Sequence, residues 1–160
     1  MVNPDDLVSA LVAKYRAIDA VTSQLGDAGQ IIGYADVSPN ETNLRVTILQ
    51  QPPGSIVVVW MGMAPARYNN SLYVRHRFSF YLRTAESPAG IATYGSLVAA
   101  LINGIDPDTG QPMHSTTIHP SCESMDLDYP SAQRNSMLIS PDGETLDYFE
   151  FQMALVEMFL

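Results

Sequence analysis

Residues 72–83 read Leu-Tyr-Val-Arg-His-Arg-Phe-Ser-Phe-Tyr-Leu-Arg and alternate with period 2. Leu72, Val74, His76, Phe78, Phe80 and Leu82 fall on one side, and Tyr73, Arg75, Arg77, Ser79, Tyr81 and Arg83 on the other. Strand side chains alternate faces, so the pattern predicts a long strand with one apolar face and one cationic, aromatic face. The N-terminal pattern is different. Leu7, Val8, Leu11, Val12, Tyr15, Ile18, Val21 and Leu25 recur at helical spacing. Asn3 is an N-cap residue, Pro4 suits the first helical position, and Asp5 and Asp6 complement the positive end of the helix dipole. With Gly26 as the stop, the spacing predicts one helix as far as Leu25, a rod of roughly 33 Å.

Residues 27–42 are rich in Gly, Asp, Asn and Pro and read as a connection, with a short strand over Ile31–Val37. Leu44, Val46 and Ile48 alternate with Arg45 and Thr47, Pro52-Pro53-Gly54 marks a turn, and Ser55–Met63 is an apolar strand holding Trp60. Ala64–Ser71 reads as the loop that leads back into the strand over 72–83, which makes three strands of an antiparallel meander. Ser87 and Pro88 open a second helix, with Ile91, Tyr94, Leu97, Val98, Leu101 and Ile102 as its stripe and Gly104 as its stop. A long loop follows over about 104–135, with an edge strand at Met125, Leu127 and Tyr129 inside it. A last hairpin is predicted from Met137–Ser140, the turn Pro141–Glu144 and Thr145–Phe159. In its second arm Phe149, Phe151, Met153 and Leu155 face one way, and Tyr148, Glu150, Gln152, Ala154 and Val156 the other. A segment this apolar must be covered.

Charge sharpens this picture. The 160 residues carry a net charge of −9, unevenly placed. Residues 1–105 hold seven acids and seven bases; residues 106–160 hold ten acids against Arg134 alone. Stable gripping of nucleic acid by its phosphates needs the opposite sign, although an acidic surface lets DNA pass without sticking. Four of the eight bases (Arg67, Arg75, Arg77, Arg83) lie in or just before the alternating strand. Arg and Tyr in a row suit a partner-binding surface; the other reading is a solvated sheet face. A single domain is expected from the length, with no disulfide framework from the one cysteine, Cys122. The acidic start (Met1 to Asp6) has no apolar run behind it and points to the cytosol of the producing cell, and no run is long enough to span a bilayer.

Motifs for chemistry are thin. His114, His119 and Cys122, with Glu123 or Asp126 as a fourth group, offer metal ligands, but zinc sites use tighter pairs and no second pair exists. Cys122 with His119 as nucleophile and base lacks an orienting third residue, so a small thiol or metal hydrolase stands only as an alternative. Asp106-Pro-Asp108-Thr-Gly110 has the glycine one place early for a calcium loop and no Glu at position 12, and is expected to be a turn. His76, on the apolar side of its strand, is expected to be a hydrogen-bonded core histidine. No catalytic residue, cofactor or metal is assigned.

The order of these elements is informative: the acidic-capped helix, Ser55-Ile-Val-Val-Val, Tyr73-Val-Arg-His-Arg-Phe-Ser-Phe-Tyr-Leu, the helix over Gly90–Ile102, the loop, and Leu146-Asp-Tyr-Phe-Glu-Phe-Gln-Met-Ala-Leu. It resembles that of the tail terminator (neck, tail-completion) proteins of long-tailed bacteriophages over most of the chain, in size, order and strand pattern. The resemblance implies an α+β fold: a mainly antiparallel sheet (meander plus C-terminal hairpin) with two helices packed on one face, one domain over residues 1–160. It further implies a virion structural protein and not an enzyme, forming a hexameric ring that joins the tail tube protein to the head–tail connector protein while DNA passes through the lumen. Assembly would take place in the host cytoplasm. A head-completion (stopper or adaptor) protein is the alternative within the same class. The interface candidates are Arg67, Tyr68, Tyr73, Arg75, Arg77, Tyr81, Arg83, Tyr148 and Glu150. The loops Ala64–Ser71 and Asp106–Ser121 are the candidates for docking the tube or connector.

Overall fold

A computed structural model describes residues 1–19, 31–34, 55–68, 71–83, 105–112, 118–126, 133–138 and 145–158. Helix α1 (Pro4–Arg16) is followed by β1 (Ile31–Tyr34), β2 (Ile56–Tyr68), β3 (Ser71–Arg83), β4 (Cys122–Asp126), β5 (Gln133–Leu138) and β6 (Thr145–Met158). The sheet runs β1-β2-β3-β6, and the far edge of β6 takes β5 along its first half and β4 along its second. All pairings are antiparallel except β1 with β2, where Ile31 stands opposite Ile56 in parallel. The fold is therefore α+β with a mixed sheet. β1, expected only as a short strand within the connection, pairs with β2 in parallel, while β2 and β3 pair antiparallel as the meander predicts. Pairing direction depends on where the connection returns the chain, which local alternation does not encode.

The apolar side of β3 is buried from His76 to Leu82. Phe78, Phe80 and Leu82 are buried on the apolar side, joined across the ladder by Ile56 and Val58 of β2 and by Phe151, Met153 and Leu155 of β6. Onto this side α1 lays Leu7, Val8, Leu11, Val12 and Tyr15, all buried. Tyr15 and Phe80 meet at 5.2 Å between ring centroids, and Phe80 stacks on Phe151 at 4.9 Å, so three elements share one aromatic column. The helix approaches β1 so closely that a Cβ on Gly33 would collide with Val8 and lie 2.9 Å from Val12, which only glycine avoids.

Two expectations need correction. Helix α1 ends at Arg16, so its rod is about 20 Å long, and positions 20–25 of the expected helix lie outside the described residues. Ala17 N–H bonds back to Ala13 and Lys14, Ile18 N–H takes the tighter path to the Tyr15 carbonyl, and Ile18 drops into the core at 2 % exposure. Asp19 N–H meets the Asp108 carboxylate at 2.6 Å. A turn at Ala17 and Ile18 thus interrupts a helical spacing that Ile18 itself satisfies. The segment Ala64–Ser71 is mostly strand: β2 pairs with β3 out to Tyr68 opposite Ser71. Pro65 suggested a loop, but β1 covers β2 only as far as Val59, so among the described residues no outer neighbour needs the N–H that proline lacks. A bulge between Trp60 and Gly62, with Gly62 at φ +120°, shifts the alternation so that Met63 and Pro65 continue the apolar side.

The Asp106–Gly110 stretch is a turn, as its sequence predicts. Gly110 N–H bonds the Asp106 carbonyl at 2.8 Å, Asp108 N–H bonds Asp106 Oδ1 at 2.9 Å, and Ile105 bridges to Pro112. Its carboxylates pin it to the end of α1: Asp106 to Lys14 Nζ at 3.7 Å, and Asp108 to the Asp19 N–H. The expected strand over Leu44–Ile48, the second helix, the turns at Pro52–Gly54 and Pro141–Glu144, and His114 lie outside the described residues.

Candidate functional site

The Arg–Tyr side of β3 is not uniform. At its centre Ser79 and Tyr81 are buried, as are their neighbours Val57 and Val59 on β2 and Ala154 and Val156 on β6. Tyr81 is 4 % exposed, which withdraws it from any partner as the chain stands. The arginines occupy the margins: Arg75 and Arg83 are half-buried and Arg77 is exposed, donating to Gln152 Oε1 at 3.2 Å. Tyr73 and Glu150 are half-buried, Tyr73 opposite Met158 and Glu150 opposite Tyr81. Arg67, Tyr68 and Tyr148 are placed by their backbone alone, opposite Leu72, Ser71 and Arg83. The nine candidates thus lie on three adjacent strands, spread along the ladder rather than gathered at a point. By register Arg67 shares the side of Leu72, so the nine do not form one face.

The densest polar chemistry lies on the other side, and sequence reading saw only half of it. His76 is fully buried, and its Nε2 lies 2.9 Å from Glu157 Oε2. The indole N–H of Trp60 faces His76 Nδ1 at 3.4 Å. An indole N–H only donates, so Nδ1 accepts and Nε2 carries the hydrogen directed at the carboxylate. Glu157 also accepts the Val2 N–H on both oxygens, at 3.1 and 3.2 Å, and the Met1 amino nitrogen lies 3.8 Å away. A buried carboxylate is stable only when its lone pairs are used, and here they are. The signal was present in the sequence. Glu157 and His76 are the polar residues on the apolar faces of two long strands, and each required a buried partner.

Cys122 stands opposite Glu157 in the β4–β6 register and is fully buried. Burial, reinforced by the Glu157 charge, pushes its thiol up to about 11 from 9.0. That is the reverse of an activated nucleophile, which needs a lowered pKa. His119 serves its own turn: Nδ1 accepts the Ser121 N–H at 3.2 Å and its carbonyl accepts the Cys122 N–H at 3.0 Å. Among the described residues no group of three His, Cys, Asp or Glu side chains is arranged to hold a metal ion, and no helix is long and apolar enough to cross a membrane. No family model matches this sequence, and no curated protein matches it.

Proposed function

We propose that the chain is a structural subunit of a long-tailed bacteriophage virion, of the tail terminator kind. Copies of it form a ring, hexameric in the closest reading of the resemblance, at the head-proximal end of the tail tube. The ring stops tube growth and joins the tail tube protein to the head–tail connector protein. DNA passes through its lumen without specific binding, helped by the net charge of −9. In this reading a second helix over Gly90–Ile102 lies beside α1 on the same face, and the C-terminal hairpin closes the sheet.

One observation carries the proposal: a three-strand ladder, β2-β3-β6, of strands 13 to 14 residues long, backed by an N-terminal helix. It supplies the N-terminal helix, the β2–β3 hairpin strands and the C-terminal strand of the element order on which the resemblance rests. Long rigid ladders suit a part that bears load and presents area. The thiol-hydrolase alternative meets a buried Cys122 with a raised pKa and a His119 engaged in its own turn. The test is light scattering of the purified protein, alone and with purified tail tubes, followed by electron microscopy of the tubes. A species near six times 17.5 kDa, or a cap on one end of each tube, supports the terminator reading. Binding to connector complexes and not to tubes would move it to the stopper or adaptor role. A monomer that ignores both would sink it.

A further inference from the structure

Both ring nitrogens of His76 are committed, and the two commitments differ in what they do with a proton. Nε2 lies 2.9 Å from Glu157 Oε2, and Nδ1 faces the indole N–H of Trp60 at 3.4 Å. A carboxylate accepts whatever the imidazole donates, so that contact suits the neutral ring and strengthens with a charged one. The indole has a hydrogen and no lone pair to offer, so it fits only a bare Nδ1. With a proton on Nδ1, two donors face each other and the contact is lost.

The surroundings decide which partner gives way. Glu157 is buried and holds the Val2 N–H on both oxygens. His76 is fully buried, between Met63 of β2 and Leu155 of β6 in the ladder. Trp60 is half-buried on the border of the core, so the indole alone has a path to solvent. Its contact with His76 also crosses the bulge. Trp60 stands opposite Phe78 before the extra residue, and Met63 stands opposite His76 after it. The bond is a diagonal tie over the irregularity.

Few charged or titratable groups surround the ring among the described residues. β6 supplies Glu157, β4 sets Cys122 opposite that carboxylate with Glu123 next in its own bulge, and the Met1 amino nitrogen lies 3.8 Å from Glu157. On β2, Arg67 lies farther along the same side; on β3, Arg75 and Arg77 fall on the other. Asp5 and Asp6 of α1 are exposed. Cys122 remains a neutral thiol in acid, since burial and the Glu157 charge push it up to about 11. The charge nearest the ring is a carboxylate, the counter-ion that an imidazolium in the interior needs.

We propose that His76 is a proton-operated latch on Trp60: protonation at Nδ1 leaves the ring bonded to Glu157 and expels the indole, opening the tie across the bulge. The latch goes beyond the ring reading and does not depend on it.

Trp60 is the only tryptophan of the chain, so its fluorescence reports this contact alone. The test titrates the full chain from about pH 8 to about pH 4, a span that brackets the ordinary histidine range. Expected is a reversible single-proton step in which emission moves to the red and acrylamide quenching rises, while the far-ultraviolet circular dichroism holds. Nitrogen-15 shifts of the His76 ring should show the Nε2–H tautomer before the step and both nitrogens protonated after it. His76→Gln offers a carbonyl to the indole and an N–H to Glu157 without a titratable group, and should keep the neutral emission throughout. His119→Asn should leave the step unchanged. If His76→Gln does not fold, the ring shifts and emission of the parent decide the matter. An Nδ1–H tautomer at neutral pH, a flat emission, a step that His76→Gln retains or His119→Asn removes, or one that coincides with loss of the dichroism would overturn the proposal.

Discussion

The two ends of the β2–β3 ladder are made of similar material and finish in opposite conditions. Toward Leu82 the ladder carries Val58, Phe80 and Ile56, and every one is buried beneath α1. Toward Ser71 it carries Met63, Pro65 and Leu72, and all three are exposed. Strand pattern does not separate them, since both ends alternate. The difference lies in what stands alongside: β1, α1 and β6 flank the first end, whereas among the described elements only β6 runs on along the second, as far as Tyr73. Apolar area stabilises only where something covers it. The same class of residue is therefore core at one end and open surface at the other, with the His76–Glu157 pair standing between.

The comparison breaks most visibly at the covered end. Phe80→Ala removes the ring shared by Tyr15 and Phe151 and should cost ~3–5 kcal/mol, read as a lower urea midpoint with the slope unchanged. At the boundary, Glu157→Ala leaves the His76 Nε2–H and the Val2 N–H without their acceptor inside the protein. A loss of about 3 kcal/mol is expected, with Glu157→Gln recovering part of it, as measured by the same melts. Cys122 supplies a pH signature. Its folded pKa, about 11, lies above the reference 9.0, so the stability it contributes is complete below pH 9 and lost as pH rises toward 11. The parent should lose stability across that window more steeply than Cys122→Ala. Tyr15→Phe works in the other direction: the buried hydroxyl has no hydrogen-bond partner and burial raises its pKa, so its removal should be neutral or add up to ~1 kcal/mol. Smallest of all is Met63→Ser at the exposed end, expected to shift stability by less than ~0.5 kcal/mol. A large loss there would mean that this end is core after all.

These contrasts also show what could be read from residues alone. The faces of β3 and β6 were legible because a period of 2 needs no tertiary information, and the turn at Asp106–Gly110 because Asp and Gly act locally. The helix end was not legible: Ile18 fits the helical stripe, and the turn at Ala17 that ends α1 carries no glycine or proline to mark it. Pro65 misled in the opposite sense, because whether a strand tolerates proline depends on a neighbour that the sequence does not display. The parallel pairing of β1 and the bond between His76 and Glu157 are likewise choices made across distance. For the candidate surface, residue type marked the Arg–Tyr row, but burial divides it. Tyr81 is closed off, while Met63 and Leu72, which the row did not include, stand open.

The place of β6 in the sheet bears on how the protein comes to exist. This strand, residues 145–158, pairs along both edges with segments made earlier, and Glu157 reaches back to Val2 across 155 positions. During synthesis the whole edge of β3 must wait, alternating and aromatic, until that late segment emerges. Such an edge is a template for pairing with the wrong chain. Closing contacts of this span is also slow. A nascent chain therefore passes through an interval in which its best strand is also its most sticky one, and conditions that shorten the interval or shield β3 should govern the yield of soluble protein.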